Sequence, residues 1–579
     1  MLRSMVMAER WEIVSGLNED LFHDVFDFYA LILKSICSYQ HFSMLFETLV
    51  VSLACLTLGT TAQAEAPVVD LGYAKYQGLR LNAGIDEYLG MRYAQAPVGN
   101  LRWRAPQDPL VVDEIQSADE FKAICIGHGQ TPSNTTDEDC LYVNVFKPSE
   151  ANSTSKLPVW LYIQGGGYAS NSDYNFNGTE VIQKSGNGIV FVNFNYRVSL
   201  YGFLSSERIR EDGDLNVGLL DQRKVFEWVR DHISEFGGDP DHVVLHGTSA
   251  GAGSVSHHLT AYNGRDDGFF VGAAIQCVFW PRIGTVAEVS YQFDAVASRA
   301  GWNRTGDPLS FLRSVPLSSL ASADVYDAFP GASSTDPEPL FYFLPVIDGG
   351  LIPDYTYNLF ANGSFIDVPI LIGNMNNEGS NFANNASTSS QVEDLMRNNF
   401  PTLTTAQADQ IVQEYPLMPP LPEHDIWFPS ASAAYGESVF ICPGNFIASS
   451  VSKYYDANKV WDYRYNVQDA DEIAAGLGVP HTFDKSAIFG PGNAGTPPAS
   501  YLTYNAPIVP IAMSYYISFV LDLDPNPHRD AAAPEWLAWG AGDGERMRLQ
   551  TNDTAMEVVP QEQTQRCAFW RGISESMEL

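Results

Sequence analysis

Gly247-Thr248-Ser249-Ala250-Gly251 follows the apolar run Val243-Val244-Leu245 and leads into a helically patterned stretch, 252–259. G-x-S-x-G between a strand and a helix is the setting that exposes a nucleophilic serine. The turn is so tight that side chains two positions either side of the serine would collide with the strand and the helix. Gly247 and Gly251 remove those side chains. Ser249 then projects from the tip, and the helix N-terminus behind it favours developing negative charge. The bland reading is a plain turn serine, but the flanking strand and helix favour a nucleophile for acyl transfer.

A serine hydroxyl needs a base and an orienting carboxylate. On this kind of sheet they follow the serine in the order acid, then histidine. Val368-Pro369-Ile370-Leu371-Ile372 reads as a strand, and Glu378 lies in the loop after it. Glu378 is the preferred acid. Asp348, at the end of Leu344-Pro345-Val346-Ile347, is the rival, with a turn role beside Gly349-Gly350 as its alternative. Three histidines follow Glu378. His424 and His528 lie in Pro-rich stretches and read as solvated surface. His481 lies in a half-apolar loop, Gly478 to Gly490, and is the preferred base.

An oxyanion needs backbone N–H groups that no side chain shields. Gln164-Gly165-Gly166-Gly167 closes the run 159–163 and supplies such a loop. Gly166, Gly167 and Ala250 are the expected donors, each worth about 3–4 kcal/mol of barrier. The rival, a phosphate loop, lacks its G-K-[ST] ending.

The elements that must position these groups alternate. Strand-like runs occur at 159–163, 189–196, 243–245 and 368–372, and 216–236 carries apolar residues at helical spacing until Gly237-Gly238 stops it. The fold class expected is α/β, a large, mainly parallel sheet with helices on both faces and chemistry at the carboxyl ends of its strands.

The net charge is −36 in 579 residues, which excludes nucleic acid and an anionic membrane as partners. A 45% hydrophobic content excludes wholesale disorder. No apolar run past residue 64 is long enough to span a bilayer. A small molecule is the expected partner, with no metal or organic cofactor; the oligomeric state stays open.

Residues 49–58 read LVVSLACLTL, and Ala62 and Ala64 form an A-x-A pattern before Glu65. Residues 44–64 therefore read as a secretory signal cleaved after Ala64. Residues 1–43 read as a mis-called extension, with an amphipathic helix or anchor around Leu21 to Cys37 as the alternative. One domain, 65–579, is expected to follow. Secretion gives meaning to the sequons at Asn134, Asn152, Asn177, Asn303, Asn362, Asn385 and Asn552.

The chain resembles the type B carboxylesterases of the α/β-hydrolase superfamily, which include cholinesterases and a lipase branch. The likeness rests on YLGMRYAQAPVGNLRWRAP (88–106), EDCLYVNV (138–145), NFNYRVSLYGFL (193–204), FGGDP (236–240) and the serine turn. It places the family's acid motif on Glu378-Gly379-Ser380 and its histidine motif on Gly478 to His481. It pairs Cys125 with Cys140 and Cys442 with Cys567, bridges worth about 2–4 kcal/mol each. It leaves Cys277 unpaired, expected buried near Glu378, where the family has a serine that helps hold the acid. Thr248 and Gln164 also depart from the family pattern, without removing a catalytic group.

The resemblance implies a secreted serine ester hydrolase working through an acyl-enzyme. The loop between Cys125 and Cys140 holds only 14 residues, against a longer lid in the family's lipases. Short or medium acyl esters are expected over triglycerides, with Phe279, Trp280, Phe341 and Phe343 as possible pocket walls or plain core. Alternatives are a lipase, a specialised-metabolite esterase or lactonase, and a non-catalytic adhesion protein; the intact Ser249, Glu378 and His481 oppose the last.

Overall fold

A computed structural model describes residues 66–333, 337–540 and 544–579. The expected signal segment, the stretch before it, and Cys37 and Cys55 lie outside the described residues.

Eleven strands form the central sheet. In chain order they are β1 (Leu79–Arg80), β2 (Ile85–Arg92), β3 (Tyr142–Pro148), β4 (Leu157–Ile163), β5 (Val190–Phe194), β6 (Gly238–Thr248), β7 (Gly272–Gln276), β8 (Ile370–Met375), β9 (Val460–Tyr465), β10 (Glu545–Leu549) and β11 (Ala555–Val558). Across the sheet the order is β11-β10-β9-β8-β7-β6-β4-β5-β3-β2-β1. Pairing is parallel from β5 through β4, β6, β7, β8 and β9 to β10, and antiparallel towards both edges. This is the open, mainly parallel sheet of an α/β protein.

The central strands are buried on both faces, so they read as continuous apolar runs rather than alternating ones. Alternation survives in which core each residue joins. Val159, Leu161, Val243, Leu245, Ala273, Ile275, Ile370 and Ile372 belong to one core. Trp160, Tyr162, Val244, Ala274 and Leu371 belong to the other. Helices α1 (Val217–His232) and α2 (Ala250–Gly264) contribute to the first core, and α4 (Ile508–Asp522) to the second.

Gly237, at φ 85°, turns the chain after α1 and its following single turn, and β6 begins at Gly238, earlier than the run 243–245 implied. Helix α2 starts directly at Ala250 and leaves helical geometry at Ala261. Two further helices, α3 (Cys442–Tyr454) and α5 (Gln561–Gly572), are joined by the Cys442–Cys567 disulfide. A second disulfide joins Cys125 to Cys140, and Cys277 is free and buried. No described helix is long and apolar enough to cross a membrane.

Candidate active site

Ser249 sits between β6 and α2 at φ 58°, ψ −122°, a conformation that costs about 1–3 kcal/mol and needs its surroundings to hold it. Its N–H donates to Gln276 O at 2.9 Å, and its carbonyl accepts from Gly253 N at 2.9 Å. The flanking glycines are forced by packing. A Cβ at Gly247 would lie 2.2 Å from Gly251 O, and one at Gly251 would lie 2.1 Å from Ile163 O. Ser249 is 9% exposed.

His481 Nε2 lies 2.8 Å from Ser249 Oγ. His481 Nδ1 hydrogen-bonds Glu378 Oε2, and Glu378 Oε1 accepts from Met375 N at 2.6 Å. Glu378 opens a short helical turn just beyond β8 and is buried. The three side chains come from segments separated by 103 and 232 residues along the chain. Asn377 locks two of those segments together. Its backbone N–H donates to Val479 O, and its Oδ1 accepts from Val479 N, both at 3.0 Å. A Cβ at Gly478, which has φ 70°, would meet Asn377 Oδ1 at 2.4 Å. The glycine three residues before His481 therefore lets the histidine loop close onto the acid loop.

The loop 165–167 packs against the serine turn. A Cβ at Gly165 would lie 2.9 Å from Ser249 Cβ, and one at Gly167 would strike the Phe341 ring at 1.9 Å. Among the described residues, no backbone hydrogen bond uses the N–H of Gly166 or Gly167. Ala250 is the first residue of α2, so its N–H has no intrahelical acceptor. Gln164 braces this loop: its Nε2 donates to Phe194 O at 2.9 Å and its Oε1 accepts from Asp173 N at 3.0 Å.

Beneath the histidine lies a buried polar network. Tyr162 donates to Thr248 Oγ1 at 3.1 Å, and Thr248 donates to Gln276 Oε1 at 2.5 Å. Trp160 Nε1 donates to His246 Nδ1 at 3.0 Å, which leaves the His246 Nε2 proton to donate to Gln276 Oε1 at 3.1 Å. Burial pushes His246 down to about 3, so this imidazole is neutral. Gln276 Nε2 donates to Asp484 Oδ1 at 2.5 Å, and Tyr463 donates to Asp484 Oδ2 at 2.6 Å. Burial pushes Asp484 up to about 7 despite these donors, with the Glu378 charge adding to the rise.

Cys277 links this floor to the acid. Its thiol faces Glu378 and accepts from the Thr482 N–H, and burial holds it far above the ordinary thiol range. The Cys277 sulfur, a Glu378 oxygen and a His481 nitrogen lie within 4.8 Å of one another, so these residues could converge on a metal ion. A cation there would compete with the His481–Glu378 hydrogen bond and would have to deprotonate a strongly disfavoured thiolate.

Above the histidine the surroundings are aromatic. Phe440 and Phe382 pack on the His481 ring at 4.4 and 5.2 Å between centroids. Phe279 packs on Phe341 at 4.9 Å and on Phe440 at 5.3 Å. Phe279 and Phe341 therefore reach the site. Trp280 packs instead on Tyr357 and Phe360, and Phe343 on Tyr326 and Tyr342, so these two belong to the core.

Asp348 is a turn residue: its carboxylate accepts from Gly350 N, Ile352 N and Asn216 Nδ2. His528 pairs with Asp522 at the surface. His424 departs from the solvated reading, because its ring is half-buried and stacks on Phe428 at 3.5 Å. Of the sequons, Asn177 is half-buried and the other six are exposed.

Asn377, Gln276, Asp484, Phe382 and Phe440 were not anticipated. Gln276 and Phe382 lie next to residues the motifs singled out, but neither has a spacing rule of its own. Asp484, three residues after His481, was the nearest to a readable signal.

The open parallel sheet and a serine turn at its carboxyl edge define an α/β hydrolase. The chain belongs to the carboxylesterase family, whose family model matches residues 65–570. It is a carboxylic ester hydrolase. It is 29% identical over 542 residues to secreted lipase 4 of Gibberella zeae, covering 86% of this chain and 92% of that one. It is 32% identical over 427 residues to lipase 1 of Geotrichum candidum, covering 64% of this chain and 74% of that one. The crystal structure of Aspergillus niger EstA superposes with a TM-score of 0.87 at 54% identity, covering 89% of this chain and 99% of that one.

Proposed function

We propose that Ser249, His481 and Glu378 form the catalytic triad. The observation that carries this is the 2.8 Å approach of His481 Nε2 to Ser249 Oγ, with Nδ1 held by Glu378. Ser249 attacks the ester carbonyl while His481 takes its proton. Glu378 fixes the imidazole tautomer and stabilises the imidazolium. The N–H groups of Gly166, Gly167 and Ala250 bind the oxyanion. The alcohol leaves with the proton from His481, and water activated by the same imidazole releases the acid.

Small or short-to-medium acyl esters are the proposed substrates. Phe341 lies directly against Gly167, so the space beside the oxyanion site is narrow. The short loop between Cys125 and Cys140 favours the same reading. A lipase reading draws support from the lipase names of several relatives. Turnover of p-nitrophenyl esters of rising acyl length, beside a triglyceride emulsion, separates the two. A maximum at about eight carbons or fewer is expected; faster turnover of the emulsion would favour the lipase.

We also propose that residues 65–579 form one secreted catalytic domain after a signal segment at 44–64. Relatives named secreted lipases support this, as do six exposed sequons placed to carry glycans. Sequencing the mature N-terminus tests it: a first residue well before Glu65 would refute cleavage after Ala64.

A further inference from the structure

A cleft of about 330 Å³ lies between α3 and α5, with the Cys442–Cys567 disulfide in its wall. It is lined by different residues from those around Ser249. Tyr357, Phe446, Trp539 and Val559 give it an apolar body, and Lys453 and Arg571 stand on exposed positions at its edge. Its volume falls in the range of small-molecule sites.

Three polar atoms on its buried lining residues have no hydrogen-bond partner: Tyr357 Oη, Trp539 Nε1 and Asn445 Oδ1. Tyr357 is 3% exposed and Trp539 4%. A buried donor without an acceptor is costly, and most such groups in folded proteins are satisfied. The hydroxyl and the indole N–H belong to residues that line one cleft, and both atoms are shut off from solvent.

With 69 acidic and 33 basic residues, most of its Lys and Arg have a carboxylate at hand. Lys453 and Arg571 instead rest on aromatic rings, at 4.6 Å over Tyr454 and 4.6 Å over Phe446. Neither pairs with a carboxylate among the described residues. Asn445 Oδ1 is an unpaired acceptor whose amide Nδ2 faces the disulfide at 3.9 Å, so an anion belongs at the cationic edge and not at the disulfide end.

We infer that this cleft binds an amphipathic carboxylate, such as a medium-chain fatty acid anion. Its head group meets Lys453 and Arg571. Its hydrocarbon lies along Phe446, Trp539 and Val559. Two cations without a carboxylate partner call for an anion, and the aromatic walls call for an apolar tail, which excludes inorganic phosphate as the best occupant.

The test is calorimetric titration of the full protein, its reactive serine first capped by an organophosphate so that binding is read away from Ser249. Octanoate is the probe and octanol its neutral control. One octanoate per chain is expected to bind, at least tenfold more tightly than octanol. The Lys453→Ala/Arg571→Ala protein is expected to lose at least tenfold in octanoate affinity with unchanged ester turnover. Absence of binding, equal binding of octanol, or native affinity in the double variant would overturn the inference. If the double variant does not fold, Arg571→Gln is titrated instead: a loss of threefold or more supports the site, and native affinity overturns it. These readouts follow ligand uptake and not turnover, so they stand apart from the catalytic proposal.

Discussion

His481 lies between two unlike surfaces. On one side, Thr248, Gln276, Asp484, Tyr463 and His246 form a connected set of buried hydrogen bonds next to Ser249 and Cys277 in the chain. On the other, Phe279, Phe341, Phe382 and Phe440 pack ring on ring with no polar group between them. Directional bonds can hold an imidazole to a few tenths of an ångström, because each donor has one acceptor. Dispersion contacts cannot aim a ring as sharply, but they exclude water and set the shape offered to an acyl chain. The floor is thus suited to orientation and charge, and the wall to selection. Changes on the floor should alter the rate or its pH dependence for every ester alike. Changes in the wall should alter the ranking of esters.

The largest effect belongs to the groups bonded directly to His481. Glu378→Gln keeps the shape and removes the charge that supports the imidazolium. A fall in kcat of about 10³–10⁴ is expected, with KM little changed and the same loss for short and long esters. A loss confined to one acyl length would break the division between floor and wall.

Next comes Asp484. Burial pushes its pKa up to about 7 from an ordinary value of 3.8, so the neutral acid is the form that the fold favours. The stability it contributes is fully present below about 3.8 and is lost as the pH rises towards about 7. Asp484→Asn cannot ionise and escapes that loss. Its unfolding free energy relative to the wild type should be higher at pH 8 than at pH 5, by on the order of 1–3 kcal/mol, with Tm shifting in the same direction. Parallel Tm curves for the two proteins across that range would show that Asp484 is not held neutral by burial.

The smallest effect belongs to the wall. Phe341→Ala opens space beside Gly167. The favoured acyl chain should lengthen by two or more carbons, with the ratio of kcat/KM for long over short esters rising by about tenfold. An unchanged ranking with a uniform drop in rate would mean that Phe341 braces the oxyanion loop and does not select substrate.

These two surfaces were not equally legible in the sequence. The serine turn could be read because steric collision demands Gly247 and Gly251 at fixed offsets, and local constraints leave local marks. Val368 to Ile372 marked a strand, which placed Glu378 at a strand end without any long-range information. The resemblance then tied Glu378 and His481 to one site. The floor was hidden because Gln276 and Asp484 are 208 residues apart, and only the folded chain brings the histidine loop onto the end of β7. Phe382 and Phe440 were hidden for another reason: buried aromatics are common, and nothing local separates one facing a reactive imidazole from one in the core. Trp280 and Phe343 show the same ambiguity from the other side, since the sequence left them open as pocket wall or plain core and they pack in the core. Cys277 was visible as a departure from a family serine, and its burial followed from its place at the end of β7.

The most direct measurement is the site of covalent labelling by an organophosphate serine probe. After exposure of the native protein, digestion and mass analysis should place one phosphonyl group on Ser249, with esterase activity falling in proportion to labelling. His481→Ala should slow that labelling by several orders of magnitude, because the hydroxyl would have no base. Stoichiometric labelling at another residue, or full activity in a protein whose Ser249 is modified, would contradict the triad.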